Sequence, residues 1–152
     1  CGSGMMSERL RSRSDCVIGV DMDGPALDVA QSEGMYDSLV KEDMFGFLRR
    51  DDEPFDLITS CMAVDFSPEI DEYLRLVWDQ LTLGGLLAFA VIPCGKGPIR
   101  VTDEMMGLRW HYFEPGYVAG LATSIGFRVV RQEFHPYQFS VGAYFLLQRQ
   151  SC

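Results

Sequence analysis

The sequence predicts an α/β domain built on a mostly parallel β-sheet and closed by an antiparallel pair of strands. Three observations carry that prediction. Short β-branched or apolar runs alternate with helix-spaced segments across polar loops, the order that lays helices on a parallel sheet. Two of those runs end on an acid, Asp21 and Asp43. The last two strands are joined by too few residues for a parallel crossover, which needs a dozen or more.

Taken in order, Cys16-Val17-Ile18-Gly19-Val20-Asp21 reads as a buried parallel strand that delivers a carboxylate to its C-terminal edge. A helix follows, with Pro25 in its first turn, Leu27 and Ala30 facing inward and Gly34 at its stop. Ser38-Leu39-Val40-Lys41-Glu42-Asp43 forms a second, shorter strand, and residues 45–50 add a weak helical turn before the polar loop 51–54. Residues 55–61 make the third strand. Ser67-Pro68 opens the clearest helix, with Ser67 as N-cap and Ile70, Tyr73, Leu74, Val77, Trp78 and Leu81 on one apolar stripe that must cover the sheet. Gly84-Gly85 ends that connection, and residues 86–92 are apolar throughout, as suits a strand at the sheet centre.

Regularity is lost between Pro93 and Glu114, where Arg109-Trp110-His111-Tyr112-Phe113 sits in a long aromatic connection whose length suggests a lid or binding loop. Tyr117, Val118, Leu121, Ala122 and Ile125 restore helical spacing up to Gly126. Residues 127–134 and 143–149 then pair antiparallel across a link around His135-Pro136-Tyr137-Gln138. This ending separates the pattern from a dehydrogenase-type domain, whose nucleotide-binding strands are parallel throughout.

The 152 residues, 47% of them hydrophobic, suffice for one domain with its own core. Thirteen Lys and Arg against twenty-two Asp and Glu give a net charge of -9, a field that repels nucleic acid and anionic membrane surfaces. Arg9, Arg11 and Arg13 form either a small anion site or a solvated helix face. The longest apolar stretch, residues 86–93, is far short of the roughly 20 residues of a membrane helix, and no signal peptide is expected. Cys1, Cys16, Cys61, Cys94 and Cys152 make no C-x-x-C pair and no metal spacing with His111 or His135, so no metal is expected. Their odd number points to reduced thiols and a cytoplasmic location.

Cys1-Gly2-Ser3-Gly4, Gly19-Val20-Asp21-Met22, Glu42-Asp43-Met44, Phe55-Asp56-Leu57-Ile58 and Leu83-Gly84-Gly85-Leu86-Leu87 occur in that order. The run resembles a class I S-adenosylmethionine (SAM)-dependent methyltransferase over nearly the whole chain. The resemblance implies a Rossmann-like sheet of order 3-2-1-4-5-7-6 with the last strand antiparallel. Cys1-Gly2-Ser3-Gly4 would be the end of the glycine-rich loop, where Gly2 and Gly4 let backbone approach the cofactor. Asp21 would accept from both ribose hydroxyls, Met22 would pack on adenine, and Asp43 with the Met44 N–H would read the adenine edge. Cys61 and Met62 would border the methyl-bearing sulfonium.

Each residue also has a plainer reading. Asp21 suits a nicotinamide dinucleotide ribose or a helix N-cap, Asp43 a turn, and Cys61 and Met62 core filling. His111 is the candidate general base, or a packing histidine; Trp110, Tyr112 and Phe113 line a pocket or cover the sheet.

The family's strand one precedes the glycine-rich loop and lies between strands two and four, so the chain is expected to be part of a longer one that supplies it. The function that follows is methyl transfer to a small molecule or protein side chain by direct SN2 displacement. The acceptor is expected between residues 61–66 and 93–113. No N-P-P-Y-type motif stands at Cys61-Met62-Ala63-Val64, which disfavours the subgroups that methylate nucleic-acid amines or glutamine. The rival is a binding or scaffold protein that kept the fold without turnover; a nicotinamide oxidoreductase is disfavoured by the terminal hairpin.

Overall fold

The computed structural model describes residues 1–50, 53–94, 100–105, 107–137 and 140–151. It divides into two compact units, Cys1–Asp51 and Asp52–Cys152.

In the first unit, α1 (Ser7–Arg11) precedes a strand, helix, strand repeat: β1 (Ile18–Asp21), α2 (Gly24–Glu33) and β2 (Ser38–Lys41). The strands pair parallel from Ile18↔Ser38 to Asp21↔Lys41, so both carboxyl ends face the same edge. As the sequence predicts, Pro25 lies in the first turn of α2, Leu27 and Ala30 are its buried residues, and Gly34 ends it in the left-handed region at φ 66°. Both strands are shorter than their apolar runs. Asp43 leaves the second one to cap α3 (Met44–Leu48). Of the arginine cluster, Arg11 is ion-paired with Asp37, whose carboxylate also accepts the Val17 N–H at 2.7 Å; Arg9 and Arg13 are exposed.

The second unit holds a four-stranded sheet of β3 (Phe55–Ser60), β4 (Leu81–Val91), β7 (Phe127–Tyr137) and β8 (Ser140–Arg149), ordered β3-β4-β8-β7. β3 and β4 are parallel, joined through α4 (Ile70–Gln80); β8 runs antiparallel to both of its neighbours. This order matches the 4-5-7-6 part of the expected sheet; β1 and β2 form a separate two-stranded pair in the first unit. Tyr73, Leu74 and Val77 of α4, Leu87, Phe89 and Val91 of β4, and Phe145 and Leu147 of β8 are all buried. Phe89 lies opposite Phe145, their rings stacked at 5.2 Å. α5 (Pro115–Ile125) packs on α4 and β7, its first turn capped by the Glu114 carboxylate.

Four local expectations are corrected. Ser67 is not the N-cap of α4: Glu69 holds that position, and the Ser67 hydroxyl accepts the Glu69 N–H at 3.2 Å in a turn made by Pro68. Gly84-Gly85 lies inside β4; Phe55 pairs with Leu81 and Leu57 already with Leu86, so residues 82–85 bow out of the ladder at Gly84, φ 80°. The irregular connection after Pro93 contains an antiparallel hairpin, β5 (Arg100–Met105) and β6 (Leu108–Phe113), with Gly107 at φ 75° by its turn. β6 is anchored to the end of β4, the Phe113 N–H donating to the Ile92 carbonyl at 3.0 Å. His135, Pro136 and Tyr137 belong to β7 rather than to a link, pairing with Gly142, Val141 and Ser140. Gln138 of that expected link, parts of the 51–54 and 93–114 connections, and Cys152 lie outside the described residues.

One close approach sets the shape of the first unit. A Cβ on Gly19 would stand 2.7 Å from Leu39 Cδ2, 2.9 Å from Tyr36 Cε1 and 3.0 Å from Cys1 Sγ. Gly19→Ala should lower unfolding free energy by about 1–3 kcal/mol, the usual cost of overpacking, in urea unfolding followed by circular dichroism; unchanged stability would show that the packing around β1 yields freely.

Candidate cofactor site

A parallel pair with both carboxyl ends at one edge is where α/β sheets present a crevice to ligands. In the first unit that edge is stitched together by the Glu42 N–H donating to the Asp21 carbonyl at 3.1 Å. The Asp21 side chain is gripped there by main-chain donors. Its Oδ2 accepts from the Gly2 N–H at 2.7 Å and from the Cys1 nitrogen at 3.0 Å, and its Oδ1 from the Asp23 N–H at 3.0 Å.

Partial burial alone would raise the Asp21 pKa, but the Asp23 and Gly2 N–H bonds and the Cys1 nitrogen outweigh it and hold it down at about 2. The side chain keeps 27% of its surface, and a carboxylate has about four lone-pair sites, so it can accept further donors. Gly2 is at φ 55° and a Cβ there would meet nothing within 4 Å: the space before the loop is open. Gly4, at φ 95°, would bring a Cβ to 3.4 Å from Ser7 Oγ and Tyr36 Cε2. Next to Asp21, Met22 is 67% exposed, a large apolar surface beside an ionised acceptor.

Asp43 follows β2 on the same edge. Its Oδ1 accepts from the Phe45 and Gly46 N–H groups at 3.0 and 2.9 Å, capping α3, so the turn reading of this residue is realised with Oδ2 outside the cap. Met44, the first residue of α3, is half-buried. Thus the structure brings Cys1, Gly2, Asp21 and Met22 together, with Asp43 and Met44 on the adjoining strand end.

The remaining predicted residues lie in the second unit. Cys61 directly follows β3; desolvation of its thiol, and then the charge of Asp65, push its pKa up. Met62 has φ 57°, the positive value found on a non-glycine residue among those described, a costly conformation of the kind that marks functional turns. Its side chain packs with Tyr112 and Tyr144 on the cluster of Ala90, Ile92 and Trp110. His111 is 4% exposed, on β6 opposite Thr102. His135 is exposed, bonded through Nε2 to Glu133 at 2.9 Å, with its ring edge-on to Tyr144.

Sequence reasoning passed over Asp65. It sits in a 3-10 turn, Val64–Phe66, has no exposed surface, and accepts the Ile92 N–H at 2.8 Å through Oδ1. The signal was present: an acid between two large apolar residues just past a strand. The turn packs on β6, with the Phe66 ring 4.5 Å from the Trp110 ring.

A family model described as "Methyltransferase domain" matches residues 1–89. No curated protein matches the chain. Among solved structures, a SAM-dependent methyltransferase from Methanosarcina mazei is similar at TM-score 0.76 and 17% identity, over 99% of this chain and 89% of that one. One from Mesorhizobium loti is similar at TM-score 0.78 and 17% identity, over 98% and 88%. The Burkholderia thailandensis 1,6-didemethyltoxoflavin-N1-methyltransferase, solved with 1,6-didemethyltoxoflavin and S-adenosylhomocysteine, is similar at TM-score 0.78 and 16% identity, over 99% and 68%.

Because the Asp21 pKa is depressed in the folded chain, its contribution to stability is complete above the ordinary carboxyl value of 3.8 and is lost as pH falls toward 2. The stability difference between the natural chain and Asp21→Asn, measured by urea unfolding, should therefore shrink between about pH 4 and pH 2. A difference that stays constant across that window would contradict the grip described here.

Proposed function

The chain belongs to the methyltransferase domain family, and from that premise we propose that it transfers a methyl group to a small molecule or a protein side chain by direct SN2 displacement. Membership makes it an enzyme of methyl transfer with SAM as its cofactor. The acceptor and the residue roles that follow are our reading. We take residues 1–152 as part of one such domain, working in the cytoplasm. Among the described residues no helix is long and apolar enough to cross a membrane.

The observation that carries the reading is the Asp21 carboxylate: ionised at any working pH, partly accessible, and held by backbone N–H groups at the carboxyl edge of a parallel pair. Such an acceptor fits a ribose diol, and the open space before Gly2 fits a ligand backed against the loop. Cys1, Gly2 and Gly4 then supply close main-chain approach, exposed Met22 an apolar face for adenine, and Asp43 with Met44 the edge that tells adenine from guanine. Cys61 and Met62 border the sulfonium. When bound, the cofactor supplies an electrophilic methyl carbon, which needs alignment and exclusion of water more than acid–base help. We read His111, buried on β6, as the general base for the acceptor. A small-molecule acceptor is favoured by the aromatic surroundings of Trp110, Tyr112 and Phe66, and nucleic acid is disfavoured by the net charge.

Calorimetric titration of SAM and S-adenosylhomocysteine tests this. The natural chain should bind both, and Asp21→Ala should weaken both at least about tenfold, since hydrogen bonds to a charged group are worth roughly 1.5–3 kcal/mol each. Equal binding by the variant, with its circular dichroism unchanged, would remove Asp21 from the site.

A further inference from the structure

The buried polar side chains among the described residues are Ser7, Asp65 and His111, and Asp65 is the acid of the three. Burying an ionised carboxylate costs free energy that hydrogen bonds must offset. The bond from the Ile92 N–H to Oδ1 does part of that and ties the turn after β3 to the end of β4. A neutral asparagine would accept the same N–H. What the carboxylate adds is negative charge, placed in a water-poor turn where fields act strongly.

That charge lies beside the residues of interest. Asp65 is four positions past Cys61, and its field reaches the Cys61 thiol. Between them Met62 is held at φ 57° with its side chain on the Ile92–Trp110 cluster, which fixes the turn against the end of β4. The function proposed above puts Cys61 and Met62 beside a sulfonium, a permanent cation that becomes a neutral thioether once the methyl has gone.

We propose that Asp65 selects for charge at this site: its buried carboxylate favours the cationic cofactor over the neutral demethylated product, and so eases product release. The inference rests on the proposed function and deepens it. Asp65 forms no bond in the reaction and takes no proton from the acceptor; it acts through its field and through the position it gives Cys61 and Met62.

The test is calorimetric titration of SAM and, separately, S-adenosylhomocysteine into the natural chain and into Asp65→Asn. Asp65→Asn should bind SAM about tenfold more weakly and S-adenosylhomocysteine within about twofold of the natural chain, a difference of about 1.4 kcal/mol per tenfold. Equal weakening of both ligands, or no change in either, would overturn the inference while leaving the methyltransferase reading in place. Failure of the natural chain to bind either ligand would remove that reading and this one with it. Should Asp65→Asn not fold, the natural chain decides: sinefungin, which carries an ammonium near the sulfonium position, should bind about tenfold tighter than S-adenosylhomocysteine, and equal affinity would overturn the proposal.

Discussion

Three main-chain nitrogens converge on one carboxylate, and the first unit is arranged so that they can. The Gly2 N–H and the Cys1 nitrogen reach Asp21 across β1, where Gly19 has no side chain to meet Cys1, and the Asp23 N–H reaches it from two residues along the chain. The same acid fixes the start of α2 through Asp23 and, through its carbonyl, the edge shared with β2. Loop, strand and helix thus depend on a single ionised group, and the bonds that stabilise its charge also orient its remaining lone pairs outward.

The second unit rests on β4, which carries β3 on one side and β8 on the other. Its lower end is tied down by Arg149, which donates to the Leu81 carbonyl while its guanidinium lies 5.1 Å over Trp78; Trp78 in turn meets Phe127 edge-on. Its upper end is tied by Asp65 and by Phe113, both bonded to Ile92. Rigid attachment of that end matters because the turn after β3 is strained at Met62, and strain persists only where the surroundings impose it.

Much of this was legible in the sequence because the signals were local or strongly periodic. The α4 stripe, the Pro25 and Gly34 boundaries of α2, and the Phe127 and Ala143 strands each declare themselves within a dozen residues. Asp21 was legible as an acid at a strand end, although its three donors come from residues up to twenty positions away. The β5–β6 hairpin was not legible: Thr102, Asp103 and Glu104 give one of its strands no apolar alternation, and β6 carries four aromatic rings or imidazoles in a row, hiding the period of two. The β4 bulge was read as a loop because two glycines usually end an element. Asp65 was passed over because its one local hint, the apolar neighbours Val64 and Phe66, is weak, while the Ile92 N–H that it accepts lies far along the chain.

The central claim is that the Asp21 edge of the first unit is where the cofactor's nucleoside sits. Amide resonances report it directly, since the Gly2, Asp23, Phe45 and Gly46 N–H groups bond to the two acids concerned. On titration with S-adenosylhomocysteine, nitrogen–proton correlation spectra should show the Gly2, Met22 and Asp23 amides among the largest shifts, with Met44 to Gly46 moving alongside. Saturable binding that leaves those amides in place and perturbs others would contradict the account.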